Sequence, residues 1–253
     1  MKSEDRITKE RAGGGARLDD GDAMHSAAWL CALLQAGDSF YPTGSYAHSF
    51  GLEGLVQEGV VRDRATLREF LFRSVLPALR QNELPLAVHA WGALGAGDWE
   101  KLREVCVLSS ALKTAKEARV ASENIGRQRA ELVANLRGGA LAKEYLTRAA
   151  AEGWPFSPAV SAALEGRAMG APLVAVLSGM TYASVAGVLS AAMKLLRIGQ
   201  NGCQSLLTDA LADAPAIVAA AEGVAFDEIG WFNPWLDIAA ARHEAADARM
   251  FIS

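Results

Sequence analysis

The chain has 253 residues, 51% of them apolar and 21% charged, with a net charge of −4. That length holds one large domain with a packed core, and the slight acidity argues against the basic face of a nucleic-acid binder. Cys31, Cys106 and Cys203 are too few and too scattered for a disulfide framework and fit a reducing compartment; His25, His48, His89 and His243 lack zinc-ligand spacing.

Residues 1–24 are polar and carry Gly13-Gly14-Gly15, so they read as a disordered tail without the apolar run of a signal peptide. Residues 25–253 read as one all-α domain, an irregular bundle of about ten helices, because Ala and Leu dominate and no β-branched alternation stands out. Trp29, Leu30, Leu33 and Leu34 fit a first helix. A turn at Asp38–Ser45 follows, with Ser45 as a cap and a helix from Tyr46 to Gln57. Asp63 and Asp98 are N-cap candidates, and Pro77 is expected to end or kink the helix between them.

A long polar helix is predicted over Lys113–Leu136, with Lys113–Glu117 and Glu123–Arg127 spaced to pair. Its interior Gly126 costs close to 1 kcal/mol relative to Ala, which implies close packing against another element. Ala168–Met193 has no charge and is long enough to span a bilayer. Gly179, Ala183, Gly187 and Ala191 recur every four residues, so the stretch reads as a core or interface helix, not a span. Lys194 and Arg197 close it, with Gly199 as the residue after its C-cap.

Two segments stand apart. Asp38–Glu53 reads Asp-Ser-Phe-Tyr-Pro-Thr-Gly-Ser-Tyr-Ala-His-Ser-Phe-Gly-Leu-Glu and gathers an aromatic, an imidazole and a hydroxyl around one turn. The end of the chain is polar and then abruptly Met250-Phe251-Ile252, a pattern that docks on its own domain or on a partner. The chain has no phosphate-binding loop, nucleophile elbow or dinucleotide fingerprint.

Asp38–Glu53, Glu117–Gly126, Ser190–Leu207 and Leu236–Ser253 together resemble the urease accessory protein UreF family, in the right order. The chain departs from the family at Pro155 and Pro158, and at Arg197. The resemblance implies an all-α, dimeric, cytoplasmic protein that is not an enzyme and does not bind nucleic acid or membrane. Such a protein acts with UreD (or UreH) and the GTPase UreG to deliver nickel to apo-urease. It has no cofactor of its own: nickel is handled by the complex and GTP by UreG. By the same resemblance Tyr46, His48 and Arg249 recruit the GTPase. Arg242, His243, Met250 and Phe251 belong to a C-terminal segment that orders on UreD, and Tyr182 is a dimer contact. Two rival readings are a small α-helical acid–base enzyme using Asp38, His48 and Glu53, and a membrane-associated protein built on Ala168–Met193.

Overall fold

The computed structural model describes residues 20–243 and 249–252. Among the described residues there are eleven helices and no strand. They are α1 (Asp20–Gly37), α2 (Leu52–Gln57), α3 (64–96), α4 (Trp99–Ala111), α5 (Lys116–Leu136), α6 (Ala140–Glu152), α7 (Pro158–Met169), α8 (Leu173–Leu195), α9 (Gln200–Ala212), α10 (Ala214–Glu222) and α11 (Pro234–His243). Helix α1 begins at Asp20, inside the segment expected to be a disordered tail. Once a helix is nucleated, extending it by a few residues costs little.

Helix α7 is the centre of the bundle. Every residue from Ala159 to Gly166 is buried, and α3, α4, α5, α6, α8 and α1 pack around it. A helix apolar or small on all sides suits such a position. Its start is set by Ser157, whose side chain accepts the Val160 N–H, and by Pro158 in the first turn. The expected tight contact of Gly126 is here. A Cβ on Gly126 would lie 2.7 Å from the Ser157 carbonyl carbon and 2.9 Å from the Pro158 nitrogen, and Ser161 donates to the Gly126 carbonyl at 2.6 Å.

Asp63 and Asp98 cap α3 and α4 as predicted, Asp63 in a reciprocal capping box with Thr66. Pro77 does not end its helix. Helix α3 runs on through Pro77 and Pro85 because it widens to π geometry at Leu71–Val75 and Leu79–Glu83. Pro85 has no N–H for the Gln81 carbonyl, and the Gly230 N–H takes that acceptor at 3.2 Å. Gln81 Nε2 donates to the Glu228 carbonyl at 2.9 Å, Asn82 Nδ2 to the Trp231 carbonyl at 3.1 Å, and Asn233 Nδ2 to Ser74 Oγ at 2.9 Å. The wide turns therefore hold the loop that leads into α11.

Helix α8 is the single described helix long and apolar enough to cross a membrane by length and composition. In the fold it packs against α9, α1, α10, α2, α7 and α3. Gly179 meets Leu33 of α1, and a Cβ on Gly187 would lie 3.4 Å from the Phe50 ring. Gly199 does not follow a C-cap. Leu196 turns the chain into extended geometry, and Gly199, at φ −71°, is the N-cap of α9. The charge pairs predicted along α5 are also replaced. Lys113 pairs with Glu83, Glu117 with Arg249 and Arg127 with Glu131, while Ser110 donates to Glu123. Helix α5 starts at Lys116, so Lys113 lies before it and helical spacing does not bring it onto Glu117.

Candidate functional site: the Gly44 turn and the C-terminal segment

Asp38 opens the turn by accepting the Phe40 N–H on Oδ1 at 2.7 Å, while its carbonyl takes the Tyr41 N–H at 3.0 Å. Tyr41 is buried and donates its hydroxyl to Glu165 Oε1 at 2.7 Å. Glu165 is wholly buried on α7, with Arg129 Nε 2.7 Å from its other oxygen and Arg137 Nε at 3.4 Å. Arg137 also donates to the Ala32 carbonyl and to Gln35 of α1. Burial and the Glu165 carboxylate push the Tyr41 phenol up to about 12. The turn is thus anchored to a buried ion cluster before it reaches Gly44.

Gly44 has φ 81°, and a Cβ there would approach Gln128 Oε1 to 2.9 Å. Residues Ser45–Ala47 make one 3₁₀ turn, His48 is extended, and Phe50 and Gly51 both have positive φ (56° and 82°). The helix expected from Tyr46 therefore starts only at Leu52. Left-handed residues cannot continue a right-handed helix. Ser45 does not cap it: its hydroxyl meets Thr43 Oγ1 at 3.1 Å, and the Glu53 N–H goes to Ser49 Oγ at 3.3 Å. Gly51 and Gly54 bring α2 against α11, since Cβ atoms there would lie 2.5 Å from Leu236 Cδ1 and 2.7 Å from the Ala239 carbonyl oxygen.

Residues 249–252 return to this turn. The buried Glu53 carboxylate accepts the Met250 N–H on Oε1 at 2.8 Å and the Phe251 N–H on Oε2 at 3.0 Å. The Ile252 N–H donates to the Ala47 carbonyl at 2.9 Å, and Arg249 Nη1 meets Glu117 Oε1 of α5 at 2.6 Å. Lys194 Nζ lies 3.7 Å from the centroid of the Tyr46 ring and 5.1 Å from that of Phe251. Between turn and α5 runs a groove of about 430 Å³ whose lining includes Gly44, His48, Glu117, Val120, Gln128 and Ile252.

Tyr46 and Arg249 are exposed and belong to this one assembly, which joins the start, middle and end of the chain. His48 and Phe251 are 8% and 6% exposed, so they shape the surface from beneath; Met250, at 61%, faces outward. Burial lowers the His48 pKa against the opposing pull of Glu117. Arg242, on α11, is exposed and pairs with Glu58 at 2.8 Å. The side chain of His243 lies outside the described residues. Tyr182 is exposed on α8, as are Val174 and Met193, and takes no part in the turn assembly.

Of the three acid–base candidates, His48 lines the groove and Asp38 and Glu53 do not; Asp38 Oδ1 and both Glu53 oxygens accept backbone N–H groups. Among the described residues no group of three or more His, Cys, Asp or Glu side chains is placed to hold a metal ion. Lys194 and Glu117 were missed as site residues, because helix spacing accounts for both without reference to the turn. Glu53 was read as an acid–base candidate, and its place in the first turn of the short α2 appears only in the fold.

A family model, UreF, matches residues 61–211. The chain belongs to the UreF family. The match begins after the Gly44 turn and stops before the C-terminal segment, but individual UreF relatives align over more of the chain. The urease accessory protein UreF of Paenarthrobacter aurescens (strain TC1) is 29% identical over 228 residues, 90% of this chain and 100% of that protein. Urease accessory protein UreF 1 of Brucella melitensis biotype 1 is 29% identical over 225 residues, 88% of this chain and 92% of its own length. UreF of Rhodopseudomonas palustris (strain BisA53) is 29% identical over 227 residues, 90% and 94% of the two chains.

Proposed function

We propose that this UreF-family chain is a urease accessory protein that serves urease maturation as a scaffold and not as an enzyme. In this reading it acts in the cytoplasm as a homodimer, binds UreD (or UreH), and recruits the GTPase UreG so that nickel reaches apo-urease. The observation that carries the reading is the docking of residues 249–252 on the Tyr46 turn, through Ile252 and Ala47, with Arg249 on Glu117, in a chain of this family. Tyr46 and Arg249 offer an aromatic ring and a guanidinium to a partner, while His48 supports them from below. Arg242, Met250 and the helix end at His243 supply the UreD-facing surface, with Phe251 as its anchor. The partly exposed stretch of α8 around Tyr182, uncharged as far as Met193, is the surface for a second copy, since small residues allow close helix approach.

Nickel is cargo in this reading. A carrier must release its ion, so oxygen-lined passage suits it better than a tight thiolate or imidazole site. Arg249 acts by docking the GTPase and not as an arginine finger, because its guanidinium is already tied to Glu117.

The test is capture of UreD and GTP-loaded UreG by the wild-type chain, Tyr46→Ala and Arg249→Ala. Loss of UreG with UreD retained supports the reading. A wild-type chain that captures neither partner ends it.

A further inference from the structure

We infer that Glu53 is a positioning residue whose carboxylate selects the docked conformation of residues 249–252 and so sets Arg249 beside the Tyr46 turn. In an extended strand successive N–H groups point to opposite sides. Here two successive N–H groups, of Met250 and Phe251, are aimed at the two oxygens of one carboxylate, and the chain bends at those two residues. Consecutive amides converging on an anion form a nest, and the anion is what holds the bend.

The consequences run outward from that bend. Phe251 turns inward and is buried beside Lys194, Met250 is left in solvent, and the Ile252 N–H reaches the Ala47 carbonyl. Arg249, just before the bend, is delivered to Glu117. Glu53 itself cannot wander. It sits at 4% exposure in the first turn of α2, and α2 is pressed against α11 at Gly54. The donors are backbone groups, so the clamp reads the path of the chain end and not its side chains. A glutamine at position 53 keeps one acceptor oxygen but turns an amino group toward the second N–H, which repels it.

The inference rests on the proposed partner reading for its second half only. The experiment measures hydrogen exchange at the Phe251 amide in the full chain, and UreG capture alongside it. Glu53→Gln is expected to speed Phe251 exchange about tenfold, as befits loss of a charge-assisted hydrogen bond, with the amides of Ala163 and Leu164 in α7 unchanged. Met250→Pro removes one donor and leaves the carboxylate in place, so it too must speed Phe251 exchange. The double variant is expected to fall short of the product of the two single effects, because both act on one interaction. UreG capture by Glu53→Gln is expected to drop to the level of Arg249→Ala.

Unchanged Phe251 exchange in Glu53→Gln overturns the clamp, as does a double variant whose effect is the full product. Release of the segment with UreG capture retained overturns the positioning of Arg249. If the wild-type chain captures no UreG, the partner reading fails by itself, and the exchange data still decide the clamp.

Discussion

Lys194 Nζ stands 3.7 Å from the centroid of the Tyr46 ring, over an aromatic side chain that is 56% exposed. The last turn of α8 thereby fixes the orientation of the aromatic group at the Gly44 turn. An exposed cation–π contact contributes about 0.5–1 kcal/mol. Lys194→Met, which keeps the length of the side chain, is expected to weaken UreG capture about two- to fivefold. The check is a binding titration with the GTPase. No change in affinity would mean that Tyr46 is oriented by the backbone alone.

Glu165 holds the other end of the turn. It is wholly buried and is met by Tyr41 from the turn and by Arg129 and Arg137 from α5 and its C-cap. Breaking a buried ion pair from one side costs ~3–5 kcal/mol, because the remaining charges lose their partner. Arg129→Met should therefore lower the melting temperature by roughly 10 °C. Tyr41→Phe removes one neutral donor and should cost only about 1–2 kcal/mol. Thermal unfolding followed by circular dichroism ranks the two.

Gly126→Ala places a methyl group against the backbone of Ser157 and Pro158, where neither element can yield easily. Ala is the better helix former, so propensity alone predicts stabilisation. Overpacking of a tight contact costs about 1–3 kcal/mol and should win. Denaturant unfolding with an unchanged slope and a lower midpoint is the expected result.

His48 makes stability depend on pH. Burial holds its folded-state pKa below the ordinary value near 6.5, with Glu117 only partly offsetting the effect. As the pH falls below the unfolded value, the unfolded chain gains a proton that the folded chain resists, so stability falls through the window beneath 6.5 and is full above it. The melting temperature should be lower at about pH 5.5 than at about pH 7.5, and His48→Gln should narrow that difference. An unaltered difference would assign the acid sensitivity to other groups.

Much of the fold was legible because its causes are local. The caps at Asp63 and Asp98 and the close packing at Gly126 follow from side-chain chemistry within a few residues. The readings that needed correction depend on distant partners. Pro77, expected to end or kink its helix, does not end it: the helix continues where the loop before α11 binds its wide turns at Ser74, Gln81 and Asn82. The helix expected at Tyr46 is delayed to Leu52 because Phe50 and Gly51 are left-handed where α11 presses on α2.

The amino-acid sequence by itself determined an all-α chain, the Tyr46 turn as its distinctive segment and an apolar chain end that docks, since helical periodicity, capping and composition act over short stretches. Only the tertiary structure decided that Glu53 meets Met250 and Phe251, that Lys194 lies over Tyr46, and that Glu117 turns from its own helix to Arg249. Those contacts span most of the chain. They exist because close-packed glycines set how near α2, α8 and α11 approach, and no local spacing rule encodes that distance.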